Sequence, residues 1–201
     1  MKKIIILCSL CAAICCLCTQ CKNPSNQEPD KKIEQTVLDF YDYKNGTYWV
    51  YQDTFGTIDS TWVSDYTNSL TCDGSSTKAI CVENIRYFIN SSRTTDRIAA
   101  DVYPNFNKNY TGCMFLIVNA SGTSQYGWYL GYENNIFSNQ GEIVEHFDTF
   151  TVNGETFNDV YFMKSSIYTD ARILMIAKNK GILMKGRLDN ASMLIRYNIV
   201  R

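Results

Sequence analysis

Beyond residue 45 the chain alternates apolar and polar side chains with a period of two, the pattern of half-buried strands. The clearest case is a pair of arms around Asn153-Gly154, a dipeptide that favours tight hairpin turns. In the first arm, 142–152, Val144, His146, Asp148, Phe150 and Val152 share one face; in the second, 156–164, Val160 and Phe162 alternate with Tyr161 and Met163. The last segment, 192–200, puts Met193, Ile195, Tyr197 and Ile199 on one face and Leu194, Arg196, Asn198 and Val200 on the other. Further strands are expected over 47–51, 57–66, 79–90, 97–103, 112–118, 125–132, 171–177 and 182–186. Turns fall at Asn45-Gly46 and Phe55-Gly56, and Pro104 stops one strand. Residues 33–43 form a short helix or a first strand, with Ile33, Val37, Leu38 and Tyr41 on one helical face. The pattern predicts a mainly β protein: a single antiparallel domain of about ten strands, a meander forming a curved sheet or half-barrel. No unit recurs at a fixed period, which disfavours a propeller or solenoid.

The first 21 residues follow another rule. Lys2 and Lys3 precede an apolar run from Ile4 to Leu17 that only Ser9 interrupts. The run has the length of a secretory signal core and falls short of the roughly 20 apolar residues that span a bilayer. It contains Cys8, Cys11, Cys15 and Cys16, with Cys18 just beyond, and these act there as small hydrophobes rather than as metal ligands. After Cys21 the chain turns polar at once, Lys22-Asn23-Pro24-Ser25-Asn26-Gln27-Glu28-Pro29-Asp30. The organisation expected is a signal peptide over 1–20, a modified cysteine and flexible linker over 21–32, and a β-rich extracytoplasmic domain over 33–201.

Cys21, at this junction, resembles the lipobox cysteine of bacterial lipoproteins, although Gln20 and Cys18 stand where small residues and leucine are usual. The resemblance implies a diacylglycerol thioether on Cys21, cleavage before it and acylation of the new amine. Three acyl chains would anchor the protein firmly, whereas one alone holds only reversibly. Three further blocks resemble a group of uncharacterised Bacteroidetes lipoproteins. They are Gly46-Thr47-Tyr48-Trp49-Val50-Tyr51 with Asp59-Ser60-Thr61-Trp62-Val63, the hairpin 152–161, and Lys178-Asn179-Lys180-Gly181-Ile182-Leu183 with Arg196-Tyr197-Asn198-Ile199. The likeness implies a β-rich fold and an outer-membrane address, and brings no catalytic residues. It also implies that Ser60, in Asp59-Ser60-Thr61, is a candidate O-glycosylation site. Acidic residues arrive only at Glu28 and Asp30, so the periplasmic and surface faces of the membrane both stay open.

Composition narrows the chemistry. Without Lys2 and Lys3, 17 basic residues face 20 acidic ones, so no basic field attracts nucleic acid. Three cysteines follow Cys21: Cys72 and Cys81 bracket a polar loop and form a candidate disulfide, the alternative being three buried thiols, while Cys113 opens an apolar run and belongs to the core. A single histidine, His146, excludes a multi-histidine metal site, and no cofactor is implied. Its neighbours Glu145 and Asp148 suggest a triad, but no serine sits on a nucleophile elbow. Glu133, Glu142, Glu145, Glu155 and Asp159 are the carboxylates a glycan hydrolase would draw on. Trp49, Trp62, Trp128, Tyr51, Tyr126, Tyr129 and Tyr132 serve either as core or as a platform for a sugar or an apolar ligand. Tyr126, Trp128 and Tyr129 are the most exposed candidates, because Gly122 and Gly127 suggest a loop. The expected function is a lipid-anchored, non-catalytic binding or structural protein, with an apolar molecule or lipid as ligand; the rivals are a glycan-acting hydrolase and a carbohydrate-binding surface protein.

Overall fold

The computed structural model describes residues 28–73, 79–95, 97–104, 111–118, 124–133, 136–138, 142–165 and 172–201. The signal segment, Cys21 and the start of the linker lie outside them. One helix, α1 (Gln35–Tyr41), precedes twelve strands among the described residues. These are β1 (Tyr48–Gln52), β2 (Ile58–Cys72), β3 (Cys81–Ser91), β4 (Arg97–Pro104), β5 (Thr111–Val118), β6 (Ser124–Glu133), β7 (Ile136–Ser138), β8 (Glu142–Val152), β9 (Glu155–Ser165), β10 (Arg172–Ala177), β11 (Gly181–Arg187) and β12 (Asn190–Asn198). They form a single antiparallel sheet in the order β7-β6-β5-β4-β3-β2-β1-β12-β11-β10-β9-β8. Two meanders, β1 to β7 and β8 to β12, are thus joined where the first strand pairs with the last, and the sheet curls into a half-barrel.

The expectation of about ten strands misses β7, which has only three residues, and the second half of β2. Beyond Tyr66 β2 is mostly polar and exposed, so it carries little alternation, yet it pairs with β3 as far as Cys72 opposite Cys81. Asn153 and Gly154 adopt φ of +49° and +83°, the left-handed pair a two-residue hairpin turn requires. The even alternation expected for the last strand does not hold. A register shift pairs Val50 with Arg196 but Tyr51 with Leu194, leaving Ile195 bulged and exposed and turning Leu194 into the core.

The region 33–43 is helical over Gln35–Tyr41, with Val37, Phe40 and Tyr41 buried and Leu38 half-buried. A helix of 7 residues is marginal alone, and tertiary contacts hold this one. Phe40 meets the Tyr161 ring of β9 edge-on at 5.4 Å, and Tyr41 stacks on Phe115 of β5 at 5.0 Å. The helix therefore bridges both arms of the curled sheet. Its last carbonyls are capped from afar: Arg201 donates to Leu38 O (2.6 Å) and Asp39 O (2.7 Å), and the Asn179 amide donates to Asp39 O at 2.7 Å. Around α1 lies an aromatic core that includes Trp49, Tyr43, Tyr51, Tyr87 and Tyr132.

Asp30 and Lys31, at the end of the segment expected as linker, are fixed to β3. The Asp30 amide donates to Cys81 O (2.8 Å), the Cys81 amide donates to Asp30 Oδ2 (2.8 Å), and the Glu83 amide donates to Lys31 O (3.0 Å). Lys31 and Val82 form a parallel bridge.

Candidate functional site

Three distant strands bring one polar cluster together at the end of the sheet where β1 turns into β2. Asp59 is the second residue of β2, Ser91 closes β3 and Lys185 lies on β11. Lys185 Nζ is 2.7 Å from Asp59 Oδ2, and the two side chains are 16% and 11% exposed. Ser91 Oγ donates to Asp59 Oδ1 at 2.7 Å and Ser92 Oγ donates to the same oxygen at 3.3 Å. The ammonium also sits 4.6 Å above the ring of Tyr51, whose hydroxyl donates to Ile182 O at 2.9 Å. Burial alone would raise the Asp59 pKa, but Lys185 and the two hydroxyls hold it below the ordinary carboxylate value. Burial pushes the Lys185 pKa down against the pull of Asp59. Beside them, the Asp53 Oδ1 accepts the amides of Phe55 (3.0 Å) and Thr57 (2.8 Å), and Oδ2 lies 3.3 Å from Arg93. The Thr57 amide, with that of Phe55 and Arg93, lowers the Asp53 pKa.

This geometry makes a clamp. Asp59 takes three donors and is a weakened base, and the Ser91 hydrogen bond points at a carboxylate, with no imidazole to activate the oxygen. Sequence reasoning missed the cluster because its members are 32 and 126 residues apart, a spacing no local pattern carries.

Other candidates disperse. Cys72 and Cys81 are joined in a disulfide between directly opposed residues of β2 and β3, and Cys113 is a buried free thiol. His146 lies 3.5 Å from Asp159 on β9 and 4.6 Å from the Tyr161 ring; Asp159 also faces Lys178 at 3.5 Å, an exposed charge cluster with no nucleophile in it. Glu155 accepts the Tyr197 hydroxyl at 2.6 Å, Glu145 is exposed, and the side chains of Glu133 and Glu142 lie outside the described residues. Among the described residues no group of three or more His, Cys, Asp or Glu is placed to hold a metal. Ser60 is half-buried on β2 opposite Val50, with its backbone bonded to Ser92 on both sides.

The aromatic candidates separate by face. Trp49, Tyr51 and Tyr132 are core. Tyr126, Trp128 and Tyr129 lie inside β6, paired with Ile117, Phe115 and Met114, so Gly127 is a strand residue and not part of a loop; their side chains lie outside what the structure describes. Trp62 stands on the outer surface, opposite Tyr48. No family model, no curated protein and no solved structure matches the chain.

Proposed function

We propose that this protein is a lipid-anchored envelope protein, held at the outer membrane through Cys21, whose β domain binds or scaffolds through its surface and performs no catalysis. One observation carries the surface reading. The concave side of the half-barrel is occupied by the chain's own helix, with Val37, Phe40 and Tyr41 packed among the core aromatics. That filling favours an outward-working domain over a carrier of internal apolar cargo. The saturated hydrogen bonding of Asp59 favours a clamp over a reaction centre. The apolar run before Cys21 and the polar stretch after it support the anchor.

The anchor is tested by Cys21→Ala in the full chain. The variant is expected in the soluble fraction, while the unmodified protein stays with membranes after a carbonate wash and incorporates labelled palmitate. Carbonate-resistant membrane association of the variant would overturn the reading.

A further inference from the structure

The outer face of the sheet carries an aromatic pair that the core does not use. Trp49, Thr61, Val63 and Ile89 are buried, so the pleat sends Tyr48, Trp62 and Asn90 to the opposite side. Tyr48 lies opposite Trp62, Trp62 opposite Asn90, and Tyr48 opposite Asn198 on its other flank. The four side chains form one row across β12, β1, β2 and β3. Trp62 is 43% exposed and Tyr48 36%. Asn90 is oriented by its own donation to Ser64 Oγ at 2.8 Å. Two residues before Asn90 on β3, the Phe88 ring lies under Arg97 of β4 at 4.3 Å.

We propose that this row binds a linear glycan with the extended β linkage of cellulose and chitin, laid across the strands over Tyr48 and Trp62. The proposal rests on the reading of the domain as a non-catalytic binding module and names its ligand class. A pyranose offers an apolar C–H face and a rim of hydroxyls; aromatic surface takes the first, and the side-chain oxygens of Asn90 and Asn198, whose nitrogens donate to Ser64 Oγ and Gly46 O, are acceptors for the second. Neighbouring strands stand roughly 4.8 Å apart, so successive side chains in the row advance by about the repeat of an extended sugar chain. A protein partner would need about 800 Å² on each side with an apolar centre, and two partly exposed rings edged by amides provide less.

Full-length protein in detergent is titrated calorimetrically with cellohexaose and chitohexaose and sedimented with purified peptidoglycan sacculi. At least one probe is expected to bind. Trp62→Ala and Tyr48→Ala should each weaken that binding about tenfold, Trp62→Phe should keep most of it, and circular dichroism should be unchanged throughout. Failure of all three probes, or alanine variants that bind like the unmodified protein, overturns the proposal. So does retention on sacculi that vanishes once an amidase removes the peptide stems, since the partner is then peptide. Absent glycan binding with intact Cys21-dependent membrane retention would strike the glycan alone. Release of shorter sugars from the hexasaccharides would strike the non-catalytic reading and leave the face standing.

Discussion

A Cβ added to Gly181 would lie 2.7 Å from Cζ2 of Trp49 and 3.0 Å from Cζ of Tyr43. The indole is fixed there because Trp49 Nε1 donates to Lys180 O at 2.8 Å, so the turn into β11 and the core aromatics are packed as one piece. Gly181 also sits at φ +81°, where a side chain is strained whatever the space. Gly181→Ala should therefore lower stability by roughly 2–4 kcal/mol, strain and overpacking together. Urea unfolding followed by tryptophan fluorescence measures it, and an unmoved midpoint would contradict the packing described.

The Asp59–Lys185 pair makes a sharper case. Asp59→Asn leaves a mostly buried ammonium without its counter-charge, and should cost about 3 kcal/mol. Replacing both partners with apolar residues, Asp59→Leu with Lys185→Met, removes the stranded charge. The double variant is expected to lose clearly less than the two single variants added together. A strictly additive double-mutant cycle would show that the two groups do not interact.

The same pair sets a pH dependence. The lowered folded pKa of Asp59 means that the unfolded chain binds the proton more tightly. Its contribution is then present above the ordinary carboxylate range and drains away as pH falls through the folded value. Asp53 acts in the same sense. The urea midpoint should stay level from neutral pH to about pH 4 and fall below it, less steeply in Asp59→Asn. Lys185 has the opposite chemistry but the same direction. Its lowered pKa makes its contribution rise as pH climbs through the folded value, far above the acid limb.

The disulfide closes a short loop, Cys81 following Cys72 at a sequence separation of 9. On the chain-entropy account Cys72→Ser with Cys81→Ser should cost about 2.5–3 kcal/mol. Amide exchange should rise first at Asp30, Cys81 and Glu83, where the incoming chain is bonded to β3. Exchange at these amides no faster than in the oxidised protein would separate the disulfide from the junction.

Much of the sheet was legible because its strands alternate and its turns use Asn-Gly or Gly. The bounds of the two arms around Asn153-Gly154 fall where expected, but their faces do not alternate evenly. Phe157, Val160 and Met163 are all buried, with Asp159 at φ +49° among them, and Phe147 packs on the core while His146 and Asp148 are exposed. How the chain's ends pair was not legible. The pairing of β1 with β12 joins residues about 150 apart, and the bulge at Ile195 answers to Val50 and Tyr51 rather than to its own neighbours. Five consecutive buried residues in β10, Ile173 to Ala177, erase the alternation that would have given the strand a face. For the outer row, the sequence supplied Trp62 as one aromatic among seven candidates. Only register shows that Trp62 stands beside Tyr48 and that Trp49, next in sequence to Tyr48, is core.

The junction at Asp30 also has a mechanical side. The Lys31–Val82 bridge is parallel, so tension applied to the chain ahead of Asp30 runs along β3 and loads the bonds at Cys81 and Glu83 together, in shear. Cys81 passes that load covalently to Cys72 and so to the far end of the longest strand. A pull on the chain ahead of Asp30 would meet two cross-linked strands of the sheet before it reached the helix.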